Sequence, residues 1–321
     1  MAGGARANAG TMSYPLRSLL RRRSSCQGIA VRRTASLPLA YVPCIHVLLS
    51  HLTQIRPWMD GTGPAMTMWR PPLKTTLTAL LVAACVGAAQ AQSLPGGFVY
   101  LREIDPGILQ DIRYATANNF IGRPLAGYNA GECVVKREVG LRLKALQAEL
   151  AAQNLSLKMF DCYRPARASL DMVKWSQNGH ETAAERRYNP KIPKTELFRL
   201  GYIASHSQHS TGAALDLTLV DLKADNSGKY DPSKSYADCT APVEARAPEG
   251  SVDMGTGYDC TDPKGHTAAP AVTPEQRAWR KRLVAAMARQ GFVNYAKEWW
   301  HFSLPGAGGA PYDFPIQPRR N

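Results

Sequence analysis

The chain has 321 residues and a formal net charge of +14, long enough for one large domain or two small ones. Ten of its 39 Lys/Arg but only one of its 25 Asp/Glu lie within residues 1–91, so that segment carries +9 and residues 92–321 carry +5. The total resembles a nucleic-acid signal, but most of it sits in residues 1–91 and a mildly basic globular part is ordinary, so no nucleic-acid partner is expected.

Residues 1–65 show no sustained hydrophobic period and are rich in Arg, Ser, Gly and Pro. They read as an unstructured leader, upstream of a true start at Met66 or Met68. Arg70 and Lys74 then form a positive region, Leu77 to Ala89 is an apolar run, and Ala89-Gln90-Ala91 supplies small residues for cleavage. Residues 66–91 are expected to be a secretory signal peptide. The apolar run is too short for an ordinary membrane span. Val82-Ala83-Ala84-Cys85 also resembles a lipoprotein processing site, which makes a lipid anchor on Cys85 the alternative to soluble export into the periplasm. Residues 92–321 are the expected folded domain.

Within that domain, Phe98–Leu101 and Leu109–Tyr114 are short strand candidates, and Gly122 to Gly131 reads as a loop. Val139, Leu143, Leu146 and Leu150 share one face of a helix. Leu155, Leu157 and Met159 alternate with polar residues, as in a half-buried strand. That strand runs into Asp161-Cys162-Tyr163-Arg164, and Pro165 is placed to start a helix carrying Leu170, Met172, Val173 and Trp175. Residues 176–200 read as a loop with little regular structure. Leu215, Leu217 and Leu219 then mark one strand face, with Asp216 and Thr218 on the other. Residues 221–272 form a long polar segment of the kind that is usually functional or stapled.

Thr273-Pro274-Glu275-Gln276 is a helix start with a cap, a first-turn Pro and a reciprocal Gln. Its helix carries Trp279, Leu283 and Met287 and stops at Gly291. Phe292–Tyr295 and Trp299–Leu304 read as strands, and the tail from Pro311 is irregular. The pattern is α+β, with a central, mostly antiparallel sheet flanked by helices. Cys133, Cys162, Cys239 and Cys260 lack C-x-x-C spacing, and in an exported protein they allow three pairings. The expected pairs are Cys239–Cys260, stapling the long insert, and Cys133–Cys162. Free buried thiols are the competing reading.

Two stretches carry the chemistry. Ser207 to Leu219 holds His209 and Asp216, and Glu298-Trp299-Trp300-His301 follows about eighty residues later. His209, Asp216 and His301 suit one zinc ion, which takes imidazole and carboxylate ligands and, when catalytic, keeps one position open for water. Glu298 is left as the general base. Along a flat strand Glu298 and His301 would face opposite ways. Both reach one site only if Glu298 lies in the turn entering the strand, or at a bulge. His180, His206 and His266 are read as structural, and Trp299 and Trp300 as core or pocket wall.

Ser207-Gln208-His209-Ser210-Thr211-Gly212-Ala213-Ala214-Leu215-Asp216 fits S-x-H-x-x-G-x-A-x-D, and Glu298 to His301 fits E-x-x-H. The chain thereby resembles the zinc D-alanyl-D-alanine peptidases related to the hedgehog fold. Tyr114-Ala115-Thr116 with Asn119-Phe120, Tyr163-Arg164-Pro165, Met254-Gly255 with Asp259, and Tyr312-Asp313-Phe314-Pro315 are similar to the VanX-type D-Ala-D-Ala dipeptidases. The resemblance covers roughly residues 98–316.

It implies one zinc per chain on His209, Asp216 and His301, with Glu298 as catalytic base and acid. Arg164 would hold the substrate carbonyl and its oxyanion. The implied substrate-binding set is Tyr114 and Asp259 at the dipeptide ammonium, Ser207 near its carboxylate, and Asp161 supporting the arginine. Cys162 stands where the family usually has Gly, and oxidised Cys162 and Cys260 would brace the regions beside Arg164 and Asp259. The implied activity is hydrolysis of D-Ala-D-Ala in cell-wall dipeptide turnover or scavenging. The alternatives are a D,D-carboxypeptidase or endopeptidase on peptidoglycan stem peptides, and a non-catalytic zinc-containing wall-binding domain. The expected partner is a small D-amino-acid dipeptide; the oligomeric state is left open.

Overall fold

The two alternating apolar stretches around Leu157 and Leu217 become the central strands of a five-stranded sheet. The computed structural model describes residues 94–319. The leader, the signal-peptide segment and Cys85 lie outside the described residues.

In chain order the elements are β1 (Phe98–Tyr100), α1 (Leu101–Ile104), β2 (Leu109–Gln110), β3 (Val134–Lys136), α2 (Arg137–Ala151), β4 (Leu155–Asp161) and α3 (Ala166–Gln177). They continue with α4 (Ala183–Arg186), β5 (Ala214–Asp221), α5 (Pro274–Arg289), β6 (Val293–Asn294) and β7 (His301–Ser303). The main sheet runs β2-β4-β5-β7-β6; its β2–β4 pair is parallel and its other pairs are antiparallel. Strands β1 and β3 form a separate antiparallel pair. The α+β, mostly antiparallel expectation holds.

Several elements differ from the sequence reading. Strand β4 is buried on both faces, with only Lys158 partly open. Helix α2 covers it, and the Gln147 side chain donates to Ser156 Oγ and accepts from the Leu157 N–H. Polar residues on the second face therefore find partners inside the protein rather than water. The second strand candidate shrinks to two residues, because the chain turns into a 3₁₀ helix at Arg113–Ala115. Residues 176–200 contain α4, opened by a capping box between Thr182 and Glu185. The Thr-x-x-Glu spacing that signals such a start is present in the sequence, and the Glu185 carboxylate also accepts from Trp175 Nε1.

The Thr273–Gln276 capping box opens α5 as expected. Residues 222–262 carry no helix or strand and are stapled by Cys239–Cys260; Cys133–Cys162 is the second disulfide. Helix α3 buries Met172 and Trp175 but leaves Leu170 exposed. No helix among the described residues is long and apolar enough to cross a membrane.

Strand register sets the site. Asp216 on β5 lies opposite His301 on β7 and opposite Asp161 on β4. The last pairing exists because β4 shifts register between Met159 and Asp161. One row across three strands thus carries Asp161, Asp216 and His301, within reach of one another.

Candidate metal and substrate site

His209 comes from a 3₁₀ turn, Gln208–Thr211, that leads into β5. The Ser207 side chain caps that turn, its Oγ accepting from the His209 N–H at 3.2 Å. Gly212 ends it at φ 78°, and a Cβ there would stand 2.3 Å from Phe98 Cε1. Glycine is therefore required both by conformation and by contact. The turn points the imidazole back over Asp216.

His209 Nδ1 lies 2.8 Å from the Cys162 carbonyl. A carbonyl only accepts, so Nδ1 carries the proton and Nε2 presents its lone pair. That Nε2 is 3.1 Å from His301 Nδ1 and 3.4 Å from Asp216 Oδ1, and His301 Nδ1 is 3.1 Å from Asp216 Oδ1. A tetrahedral ion with bonds of about 2.0–2.1 Å sets its ligand atoms about 3.3 Å apart. The triangle has that size, and its donors are two imidazole nitrogens and a carboxylate oxygen. The residues present fit a metal ion. The other oxygen, Asp216 Oδ2, accepts from the Tyr258 hydroxyl at 2.9 Å and lies 3.6 Å from Arg164 Nη2.

Glu298 meets the geometric demand placed on it. It lies in the turn before β7, where its N–H donates to the Tyr295 carbonyl and its own carbonyl accepts from the His301 N–H. The Asn294 side chain clamps this turn, donating to the carbonyls of Glu298 and His301. Glu298 Oε2 comes to 3.6 Å from His301 Nδ1. Burial pushes its carboxyl up to about 7, with the His301 ring opposing the shift.

Arg164 lies across the pocket floor. Its Nε and Nη2 both reach Asp161 Oδ2 at 2.9 Å, its Nη1 contacts the Met172 sulfur at 3.5 Å, and its guanidinium stacks over the Tyr114 ring. Asp161 is fully buried behind it and accepts from Tyr128 OH at 2.6 Å. Asp161 is not part of the pocket wall, and it can act on a substrate only through Arg164.

Tyr114 OH donates to Asp259 Oδ2 at 2.9 Å, and both residues line the pocket. Burial, aided by the Asp216 charge, holds the Asp259 carboxyl well above its ordinary range. Asp259 adopts a left-handed backbone, φ 58°, an uncommon state for a non-glycine residue. Ser207 also lines the pocket, which has a volume of about 240 Å³. Its wall includes Trp300, Phe120, Met172, Leu197 and Ile203, as well as His206. His206, read as structural, stands exposed there with its ring 3.1 Å from Ser205 Oγ. Trp299 is core, its Nε1 donating to Thr256.

Tyr258, Tyr128 and the Cys162 carbonyl were not identified from the sequence. Each acts through a hydrogen bond to a residue that was, and no spacing rule links them.

The chain matches the M15 peptidase family model described as D-Ala-D-Ala dipeptidase, over residues 95–231 and 223–318. It belongs to that family. It is 34% identical over 225 residues to a D-alanyl-D-alanine dipeptidase of Streptomyces coelicolor, covering 70% of this chain and all of that protein. It is 32% identical over 223 residues to one of Enterococcus faecium, covering 69% of this chain and 98% of that protein. An Escherichia coli D-alanyl-D-alanine dipeptidase is 27% identical over 213 residues, 66% of this chain and 87% of its own length. Membership of the M15 peptidases makes the chain a metallopeptidase, and the His209–Asp216–His301 triangle is its candidate metal centre.

Proposed function

We propose that this chain is a zinc-dependent dipeptidase that hydrolyses D-Ala-D-Ala to two D-alanines. The observation that carries the reading is the buried Tyr114–Asp259 pair in the same small pocket as the metal triangle, Glu298 and Arg164. A buried carboxyl with a single side-chain hydrogen-bond donor suits a ligand ammonium, and a free dipeptide carries one. A longer stem peptide has an amide at that position and no charge to offer. The pocket is below the usual range for drug-sized ligands, as a dipeptide requires.

A zinc ion on His209, Asp216 and His301 would supply Lewis-acid chemistry, acidifying water and polarising the scissile carbonyl. The protein supplies the rest. Asp259 and Tyr114 hold the ammonium, and Ser207 lies where the carboxylate end would approach. Arg164, fixed by Asp161, turns its uncommitted N–H groups toward the carbonyl oxygen, whose charge grows in the transition state. Glu298 takes a proton from the attacking water and passes it to the leaving nitrogen.

Residues 66–91 and the two disulfides support export to the periplasm, since disulfides persist in oxidising compartments. Turnover or scavenging of wall-derived dipeptides is the role that fits such a location.

The test measures free D-alanine from D-Ala-D-Ala, N-acetyl-D-Ala-D-Ala and a stem pentapeptide, using zinc-loaded protein. The expected result is cleavage of the free dipeptide alone. Cleavage of the blocked or longer substrates would transfer the chain to the carboxypeptidase reading and remove the ammonium role of Tyr114 and Asp259. Full zinc occupancy with no cleavage of any substrate would favour the wall-binding reading.

A further inference from the structure

Tyr258 does not line the pocket and is not one of the three triangle residues, yet its side chain is fixed from several sides. It is 1% exposed, and its hydroxyl donates to Asp216 Oδ2 at 2.9 Å. Its ring stacks on Phe160, 4.6 Å between centroids, and meets Trp300 edge-on. The Arg113 guanidinium lies over both the Phe160 and Tyr258 rings and is itself held by Asp111 and Glu249. The Tyr258 N–H donates to that same Glu249 carboxylate. Backbone and ring are thus both fixed, and the hydroxyl has one carboxylate oxygen to reach.

We propose that Tyr258 is a positioning residue for the metal carboxylate. Its hydroxyl fixes Asp216 so that Oδ1 alone faces His209 and His301. A carboxylate free to rotate could turn either oxygen, or both, toward an ion. With Oδ2 bonded to a hydroxyl, Asp216 gives one oxygen and keeps the ligand count at three. Hydrogen-bonded partners behind metal ligands commonly contribute 10–100-fold in metal affinity.

The neighbouring residue ties this to the substrate. Consecutive side chains on extended backbone diverge. The left-handed Asp259 breaks that rule, and Tyr258 and Asp259 both turn inward, one to Asp216 and the other to Tyr114. Cys239–Cys260 closes the segment immediately after them. One short stapled stretch therefore sets both the metal carboxylate and the ammonium partner.

The inference rests on the metal reading of the triangle, and its test keeps the two apart. Zn²⁺ affinity is measured by chelator competition for the native protein and for Tyr258→Phe, with Tm taken for both in metal-free form. One zinc per native chain establishes the triangle as a metal site; no zinc would refute that reading whatever Tyr258 does. Given native binding, Tyr258→Phe should bind Zn²⁺ roughly 10–100-fold more weakly with metal-free Tm retained, because the ring stacking remains. Phe160→Leu, which loosens the stack and keeps the hydroxyl, should lower Tm and leave Zn²⁺ affinity near native. Affinity within twofold of native in Tyr258→Phe would overturn the inference. So would a Tyr258→Phe protein that fails to fold or loses Tm as Phe160→Leu does, since the hydroxyl would then serve the fold.

Discussion

Glu298 approaches the metal triangle at His301 and Arg164 approaches it at Asp216, and their surroundings give them different duties. Glu298 is held by a clamped turn, while its carboxylate stays outside the triangle. Glu298→Gln keeps the shape and removes the proton acceptor. We expect kcat to fall about 10²–10⁴-fold with zinc content unchanged; kcat measured beside metal stoichiometry checks this. Zinc lost together with activity would make Glu298 a ligand instead. Arg164 spends two N–H groups on Asp161 and has others free. Lysine, a point charge, cannot hold Asp161 as a fork and still reach a carbonyl. Arg164→Lys should therefore lower kcat roughly 10²–10³-fold, the usual loss for an oxyanion donor, while far-UV and near-UV spectra stay native. At this scale the sequence was most informative about residues inside short motifs. His209 and Asp216 share one motif and His301 and Glu298 another. Tyr258 and Tyr128 could not be read, because each matters only through a partner distant in the chain.

Gly212 shows how an element can depend on one atom. Its φ of 78° costs a substituted residue roughly 1–2 kcal/mol, and its missing Cβ leaves room for the Phe98 ring. That ring is held edge-on by Tyr163, Tyr312 and Phe314 and cannot swing away freely. Gly212→Ala should destabilise the protein by more than about 2 kcal/mol, read from urea unfolding. Phe98→Leu should recover part of that loss in the double variant, a non-additivity expected only of residues in contact.

The start of α5 offers a pH-dependent case. Burial works against the Asp253 charge, but Arg246, the Gly255 N–H and Gln276 hold its carboxyl below the ordinary range. A depressed folded pKa gives stability that is present above the unfolded value of about 4 and lost as pH falls below it. Asp253→Asn should flatten the decline of Tm between about pH 5 and pH 3; an unchanged slope would remove Asp253 from the acid response. Element boundaries were read best where local chemistry decides them, as at the Thr273 cap. They were read worst where tertiary contacts decide. The polar face of β4 looked solvated because its partner, Gln147, comes from a helix that only the fold lays over it.

The molecule as a whole is held at two points close to its chemistry. Cys133–Cys162 places a covalent link beside Asp161, Arg164 and the carbonyl that orients His209. Cys239–Cys260 closes the insert next to Tyr258 and Asp259. Sequence separations of 29 and 21 residues correspond to about 3 kcal/mol of stabilisation for each bond, chiefly through the unfolded chain. Stability alone would not require both links to end beside site residues. The Cys239→Ser/Cys260→Ser variant should therefore lose more than stability. At a temperature where it remains folded, KM for D-Ala-D-Ala should rise, because Asp259 is no longer held, while N-acetylated substrate stays uncleaved. Cys133→Ser/Cys162→Ser should instead weaken Zn²⁺ binding and lower kcat, since the carbonyl behind His209 and the base of Arg164 both loosen. If the two variants lose stability alike but keep native KM, kcat and zinc affinity, the staples serve only the fold. The expected losses differ because each bond braces a different support of the pocket, Cys133–Cys162 the β4 end and Cys239–Cys260 the insert, and the two supports touch where Tyr258 stacks on Phe160 and bonds Asp216.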